Sequence, residues 1–209
     1  MATQTLKIPN KLSEITLGQY QQFSKISTDD ADEDFLQKKT IEIFCGINLI
    51  DVVKIKYTSI IRVIGVINKM FSQKSVFTNR FKMNNTEYGF VPKLDDMTYG
   101  EFVDLDTLMS DWSTMDQAMA VLFRKVKDTH KDKYTIEEYN QEESHDMKQM
   151  PLDVVFGAIF FLESLGKELT NHSLSYLGKK SKSMTEQQKQ TLMKSMDGGL
   201  HSTPLVKAI

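Results

Sequence analysis

The sequence predicts a mainly α-helical fold: a helical bundle with a central β-hairpin and an extended C-terminal arm. Three observations predict it: a twelve-residue pattern that occurs twice, apolar residues at helical spacing after each copy, and alternating residues between the copies. The chain has 209 residues, of which 40% are hydrophobic and 26% charged, as in globular proteins. The expected segments are an N-terminal helical half, the hairpin, a C-terminal helical half with a polar insertion at 127–150, and a basic arm, at residues 1–75, 76–93, 94–174 and 175–209.

The repeated pattern reads LSEITLGQYQQF at residues 12–23 and LDDMTYGEFVDL at residues 94–105, an offset of 82 positions (94 − 12 = 82). A proline precedes each copy, and an apolar-periodic segment follows each copy. These parallels favour two related three-helix halves that arose by duplication. A chance match is the alternative, because capping boxes are common.

Each copy carries the signals that begin a helix. Thr16 and Thr98 occupy N-cap positions, and a glutamine or glutamate three residues later completes a capping box. An apolar residue before each cap is expected to pack against the N4 residue as a hydrophobic staple. The capping-box partners are Gln19 and Glu101, and the staple pairs are Ile15 with Tyr20 and Met97 with Phe102.

Helical periodicity continues through the rest of each half. Residues 35–47 and 115–126 each place apolar side chains on one helix face. Residues 51–71 are rich in β-branched side chains, but 21 residues are too long for a typical strand, so we predict one helix. Residues 152–169 follow Pro151 and are apolar nearly all round, so this helix is central to the core or covered by a partner chain.

A β-hairpin is predicted between the two halves. Apolar and polar residues alternate on both sides of Asn84 and Asn85, which tolerate the positive φ angles of a tight turn. An isolated hairpin is only marginally stable, so this one rests on the helices or pairs with another chain.

The residues give no catalytic, metal or cofactor site. DADED, at 30–34, begins like a calcium loop, but Phe35 and Ile41 stand where glycine and glutamate are needed. Glu142 and His145 have the spacing of a bundle metal motif without a second copy. No glycine-rich phosphate loop or nucleophile elbow occurs. An enzyme whose site is dispersed in the sequence is therefore the least favoured of three functional hypotheses, after the two that follow below.

Charge and hydropathy limit the partners. A net charge of −2 gives no general attraction to nucleic acid or anionic lipid. The nine-residue run VVFGAIFFL is too short to span a bilayer, so no membrane contact is expected. The basic tail is expected to be a solvated or protein-docking arm, with at most nonspecific contact to DNA.

The stretch EYGFVPKLDDMTYGEFVDLDTLM, residues 87–109, resembles structural and assembly proteins of tailed bacteriophages, in particular crAss-like phages with short tails. AMAVLFRKV is similar to a helix of phage tail-assembly proteins, although Lys125 stands where proline is expected. The resemblance covers residues 80–126 well and the N-terminal copy loosely. The positions that carry it are Tyr88, Gly89, Phe90, Pro92, Leu94, Thr98, Gly100, Glu101, Phe102, Asp104 and Leu105.

The resemblance implies a virion protein of the portal and tail barrel, a head–tail connector that forms a homo-oligomeric ring around the DNA channel. Twelve copies are expected by analogy with portals, and the other partners are the portal and further tail or ring proteins. It would occur in the virion tail and, during assembly, in the host cytoplasm. The alternative is a tail-assembly chaperone absent from the finished particle, with Met115, Met119 and Phe123 in its binding groove.

The residues expected to contact partners come from the hairpin, the methionine-rich segment, the last apolar helix and the arm. Methionine-rich faces suit adaptable contacts, and core filling is the alternative for them. These residues are Phe77, Phe81, Tyr88, Phe90, Trp112, Met115, Met119, Phe160, Lys179, Lys180 and Lys182.

Overall fold

The computed structural model describes residues 7–28, 30–131, 133–140 and 146–182, with side chains as far as residue 172. The chain divides into two compact units, Met1–Ala158 and Ile159–Ile209. The predicted segment boundaries are not tested by this division.

The described elements run in the order α1–α4, β1, β2, α5, α6, β3, β4 and α7. Short 3-10 turns precede α1, α5, α6 and α7. The helices are α1 Leu17–Ile26, α2 Glu33–Cys45, α3 Leu49–Val52, α4 Tyr57–Phe71, α5 Tyr99–Leu108, α6 Met115–Leu122 and α7 Leu152–Lys182. The strands are β1 Arg80–Met83, β2 Thr86–Phe90, β3 Phe123–His130 and β4 Lys133–Ile136.

The sequence repeat recurs as a structural repeat. Both predicted capping boxes are confirmed, with Thr16 capping α1 and Thr98 capping α5. The two helices have the same length and the same offset, since 99 − 17 = 82 and 108 − 26 = 82. The next helices, α2 and α6, begin at Glu33 and Met115, again 82 positions apart (115 − 33 = 82).

A short antiparallel bridge fastens the start of α1 to the start of α7. The Leu17 N–H donates to the Met150 carbonyl at 2.9 Å, and the Leu152 N–H donates to the Ile15 carbonyl at 2.9 Å. At Gly18, a Cβ would lie 3.1 Å from the Lys148 carbonyl oxygen, so the residue must be small. The equivalent Gly100 of α5 has nothing closer than the Thr98 hydroxyl, at 4.0 Å.

The core beside α1 is aromatic. The Tyr20 ring makes edge contacts with Trp112, Phe71 and Phe156, at centroid distances of 4.5, 5.7 and 5.5 Å. Edge-to-face pairs add about 0.5–1.5 kcal/mol each beyond the burial of area. The buried Gln21 amide donates to the Trp112 carbonyl and to Asp116 Oδ1, both at 2.8 Å, which joins α1 to α6.

The predicted hairpin is present, but it belongs to a larger sheet. Asn84 and Asn85 have φ angles of 49° and 64°, as expected for the tight turn. The antiparallel sheet has the order β1-β2-β3-β4, and β2 pairs with β3 through Phe90 and Phe123. The mainly helical prediction is thus correct only coarsely: the fold combines helices with a four-stranded sheet.

The predicted helix at 115–126 is wrong beyond Leu122. The chain changes from α6 to β3 at Phe123, which is fully buried and has extended dihedral angles, −119° and 121°. Part of the expected polar insertion at 127–150 is also strand, the end of β3 and all of β4. The end of β3 is polar on both faces, and the alternation in β4, with Tyr134 and Ile136 on the more buried face, is only four residues long.

The predicted helix at 51–71 is interrupted. α3 ends at Val52, and α4 begins at Tyr57. Between them, the N–H groups of Lys54 and Ile55 bond to carbonyls three residues back. The β-branched residues of this stretch lose side-chain freedom in a helix, which weakens it here.

The arm does not begin at residue 175, because α7 continues to Lys182. Lys179, Lys180 and Lys182 therefore lie in a helix, and their side chains are not among those described. The remainder of the expected arm, 183–209, lies outside the described residues.

The two glycines of the repeat give a matched test of the bridge. We expect Gly18→Ala to lower the free energy of unfolding by about 1–2 kcal/mol, because overpacking against Lys148 outweighs the gain in helix propensity. Gly100→Ala should leave stability unchanged or raise it by up to about 1 kcal/mol, since its Cβ meets open space. Urea denaturation of both variants measures the change in the free energy of unfolding. Equal changes in the two variants would contradict the close contact between Gly18 and Lys148.

Candidate protein interface

Large apolar side chains are exposed where α3 meets α4. Ile50, Val53 and Tyr57 are 73%, 63% and 65% exposed. We call these three residues the corner surface. Single exposed apolar residues are ordinary on a protein surface, but a group of large exposed apolar side chains beside a cleft is typical of an interface.

A cleft of about 300 Å³ adjoins the corner surface. Val53 and Tyr57 belong to its wall, and the buried Val52 and Ile60 make its apolar floor. On the α2 side, Asp34 and Lys38 form an ion pair at the rim. The full lining is Asp34, Gln37, Lys38, Val52, Val53, Ile55, Tyr57 and Ile60.

A second apolar surface lies on α5. Tyr99, Phe102 and Val103 occupy positions i, i+3 and i+4, one helix face, and are 83%, 49% and 40% exposed. We call these three residues the α5 face. It shares no residue with the corner surface.

A buried ion pair holds α5 against β3. Glu101 Oε1 lies 2.8 Å from Arg124 Nη2, with side chains 6% and 10% exposed. The other carboxylate oxygen of Glu101 accepts the Thr98 N–H at 2.6 Å, as part of the capping box. One carboxylate therefore begins the helix and also fixes its position on the sheet.

Tyr139 extends this polar group. Its hydroxyl donates to Asp104 Oδ2 at 2.7 Å, and the Arg124 guanidinium carbon lies 6.0 Å from its ring centroid. Burial, followed by the hydrogen bond to Asp104, raises the pKa of Tyr139 to about 12. The phenol therefore stays protonated at neutral pH and keeps donating to α5.

The hairpin residues predicted to contact partners pack mainly on one another. Phe81 stacks on Tyr88 at 5.6 Å, and Phe77 contacts Phe90 at 4.9 Å. Phe81 and Phe90 both make edge contacts with Phe123. Tyr88 and Phe90 are only 7% and 4% exposed, so they leave little area for a partner.

The other predicted residues are separated. Trp112 is half-buried in the Tyr20 cluster, and Met115 and Met119 are buried in α6. Phe160 is 40% exposed, in the second unit. The sequence alone does not mark the corner surface, because Val53 and Tyr57 have the same helical spacing as Ile60 and Ile67. For the α5 face, the repeat is the signal in the sequence.

Over the described part of the chain, no group of three or more potential metal ligands comes together. Burial raises the pKa of the Cys45 thiol to about 11, which keeps it protonated and unreactive. Of the helices described, none is long and apolar enough to cross a membrane.

Comparison of the chain with protein-family models, with curated proteins and with solved structures found no match.

The buried ion pair can be tested against an exposed one. We expect Arg124→Met to lower the free energy of unfolding by about 3 kcal/mol, because it leaves the Glu101 carboxylate buried and unpaired. Lys38→Met, which breaks the exposed pair with Asp34, should change it by less than about 0.5 kcal/mol. Chemical denaturation distinguishes these outcomes, and a small effect of Arg124→Met would show that Glu101 is solvated.

Proposed function

We propose that this protein is a structural virion protein that forms an oligomeric ring in the portal and tail barrel of a tailed bacteriophage. The observation that carries the proposal is the exposed corner surface beside its cleft, which suits contact with another protein. The resemblance of residues 87–109 to phage tail proteins supplies the setting. In this setting the protein acts by burying surface and performs no chemistry.

Magnitudes favour a closed assembly over a simple pair. Burying the exposed parts of three large side chains is worth roughly 3–6 kcal/mol, whereas association costs roughly 4–15 kcal/mol. The corner surface alone is therefore too small to hold two copies together. In a closed ring, each copy makes two contacts, and a copy can leave only if both contacts break.

In a ring, the corner surface would meet a different surface of the next copy, so each contact would be heterologous. Such heterologous contacts close into rings when the rotation allows it. We propose twelve copies by analogy with portals, with the portal and other ring proteins as neighbours and only nonspecific proximity to DNA. The protein would occur in the virion tail and, during assembly, in the host cytoplasm.

We further propose that the chain arose by duplication of a three-helix half. The constant offset of 82 positions at the caps, at α1 and α5, and at the starts of α2 and α6 supports this. The sheet would then be an addition to the second half.

The alternative, a tail-assembly chaperone, has less support. The groove expected for it uses Met115, Met119 and Phe123, which are only 4%, 0% and 0% exposed. A partner could reach them only after the chain's own sheet and helices had moved.

A charge placed on the corner surface tests the proposal. We expect Val53→Glu to abolish ring formation, because a carboxylate in a buried apolar contact is costly. The matched control is Val76→Glu, on a valine that is 83% exposed and belongs to neither surface. Light scattering and electron microscopy of purified protein at high concentration measure assembly.

Closed annuli for the unchanged protein and for Val76→Glu, with monomers for Val53→Glu, would agree with the proposal. Monomers in all three cases, together with absence of the protein from purified phage particles by mass spectrometry, would contradict it.

A further inference from the structure

The α5 face has a covered counterpart elsewhere in the chain. Subtracting the offset of 82 from Tyr99, Phe102 and Val103 gives Leu17, Tyr20 and Gln21 on α1. On α1 this face is packed: Leu17 and Gln21 are 0% and 5% exposed, and Tyr20 is the centre of the aromatic cluster. The same face of the same motif is therefore covered in one copy and bare in the other.

The segment 147–152 covers the start of α1; it runs from a 3-10 turn at Met147–Gln149 through the extended Met150 into the first residue of α7. It makes the two backbone hydrogen bonds to Ile15 and Leu17, and Pro151 bridges Thr16. Its apolar side chains Met147, Met150 and Leu152 are all 0% exposed. Lys148 crosses directly over Gly18, and its ammonium group lies 3.9 Å from an Asp116 oxygen.

The start of α5 has the conformation that accepts such a segment. In both copies, the N-cap residue and the residue before it are extended. The ψ angles are 134° at Ile15 and 155° at Thr16 before α1. They are 137° at Met97 and 160° at Thr98 before α5. Among the described residues, no backbone hydrogen bond uses the Tyr99 N–H or the Met97 carbonyl. Gly100 leaves the space above the first turn open.

We propose that the α5 face is a docking site for an extended segment of a different protein. The segment forms two backbone hydrogen bonds, to the Met97 carbonyl and the Tyr99 N–H, and lays apolar side chains on the α5 face. This site is separate from the corner surface, and the proposal holds with or without a ring.

The chemistry of the occupant follows from the surroundings. Exposed Asp95 lies next to the cap, and the neighbouring Asp96 pairs with Lys93 at 3.4 Å. Asp95 therefore favours a segment that carries lysine or arginine together with methionine, leucine or proline. The covering segment of α1 has this composition, with Lys148 between apolar residues. Residues 147–152 of a second copy are a poor occupant, because they are already buried on their own α1.

The experiment uses the covering segment as the probe. A free peptide DMKQMPLD, which reproduces residues 146–153, is titrated into the isotope-labelled full chain and followed by NMR. We expect saturable shifts at the amides of Tyr99, Gly100 and Val103. A control peptide with serine in place of both methionines and glutamate in place of the lysine should bind at least ten times more weakly.

Gly100→Ala separates docking from folding. A Cβ there meets open space in the free protein, so the variant folds, but it obstructs an incoming backbone as a Cβ on Gly18 would obstruct Lys148. We expect at least a tenfold loss of peptide affinity with an undiminished melting temperature.

Four results would overturn the proposal. The first is no binding at millimolar peptide, and the second is equal binding by Gly100→Ala. The third is a set of shifts at Leu17 to Gln21 instead, which would mean that the peptide only displaces the chain's own segment from α1. Self-association that Gly100→Ala abolishes, without peptide binding, would assign the site to a second copy and would also overturn it.

Discussion

The first unit depends on the two backbone hydrogen bonds between Ile15–Leu17 and Met150–Leu152. They flank the bridge between Thr16 and Pro151, which are 135 positions apart (151 − 16 = 135). The bridge sets α1 beside the first turn of α7, which brings Tyr20 and Phe156 into contact. It also places the Lys148 backbone so close to α1 that only glycine is tolerated at position 18 without a shift.

The repeat shows that local sequence begins a helix but does not decide what covers it. Thr16 and Thr98 make the same capping box, and both helices run for 10 residues. Their neighbours differ: Gln19 donates to the Ile43 carbonyl on α2, whereas Glu101 pairs with Arg124 on β3. The first copy thus has a neutral amide at the position where the second copy, which packs against the sheet, has a charged carboxylate.

Much of the local structure could be predicted from the sequence. The capping boxes, the Asn84–Asn85 turn and the helices at α1, α2 and α5 follow from short-range chemistry. The change from α6 to β3 could not be predicted, because Phe123 and Val126 continue a helical stripe. In the fold both residues are in a strand, with Phe123 beside Phe90 of β2 and Val126 beside Ile136 of β4. Tertiary pairing overrode local periodicity there.

The candidate interface was harder to predict than the fold. Val53 and Tyr57 have the same helical spacing as Ile60 and Ile67, but Val53 lies in the break before α4 and Tyr57 is the first residue of α4, and both are exposed. The aromatic residues of the hairpin were expected at an interface, yet they pack on one another and on Phe123 within the chain. Composition indicates how much apolar surface a segment has, but it does not indicate which apolar atoms are already buried within the chain.

Amide hydrogen exchange at two equivalent positions tests the central claim, that one copy of the repeat is closed by the chain itself and the other is left open. The Leu17 N–H is bonded to Met150 and buried, so we expect it to exchange only with global unfolding. The Tyr99 N–H, on a residue that is 83% exposed, should exchange orders of magnitude faster in the isolated protein. Similar protection at both positions would contradict the account.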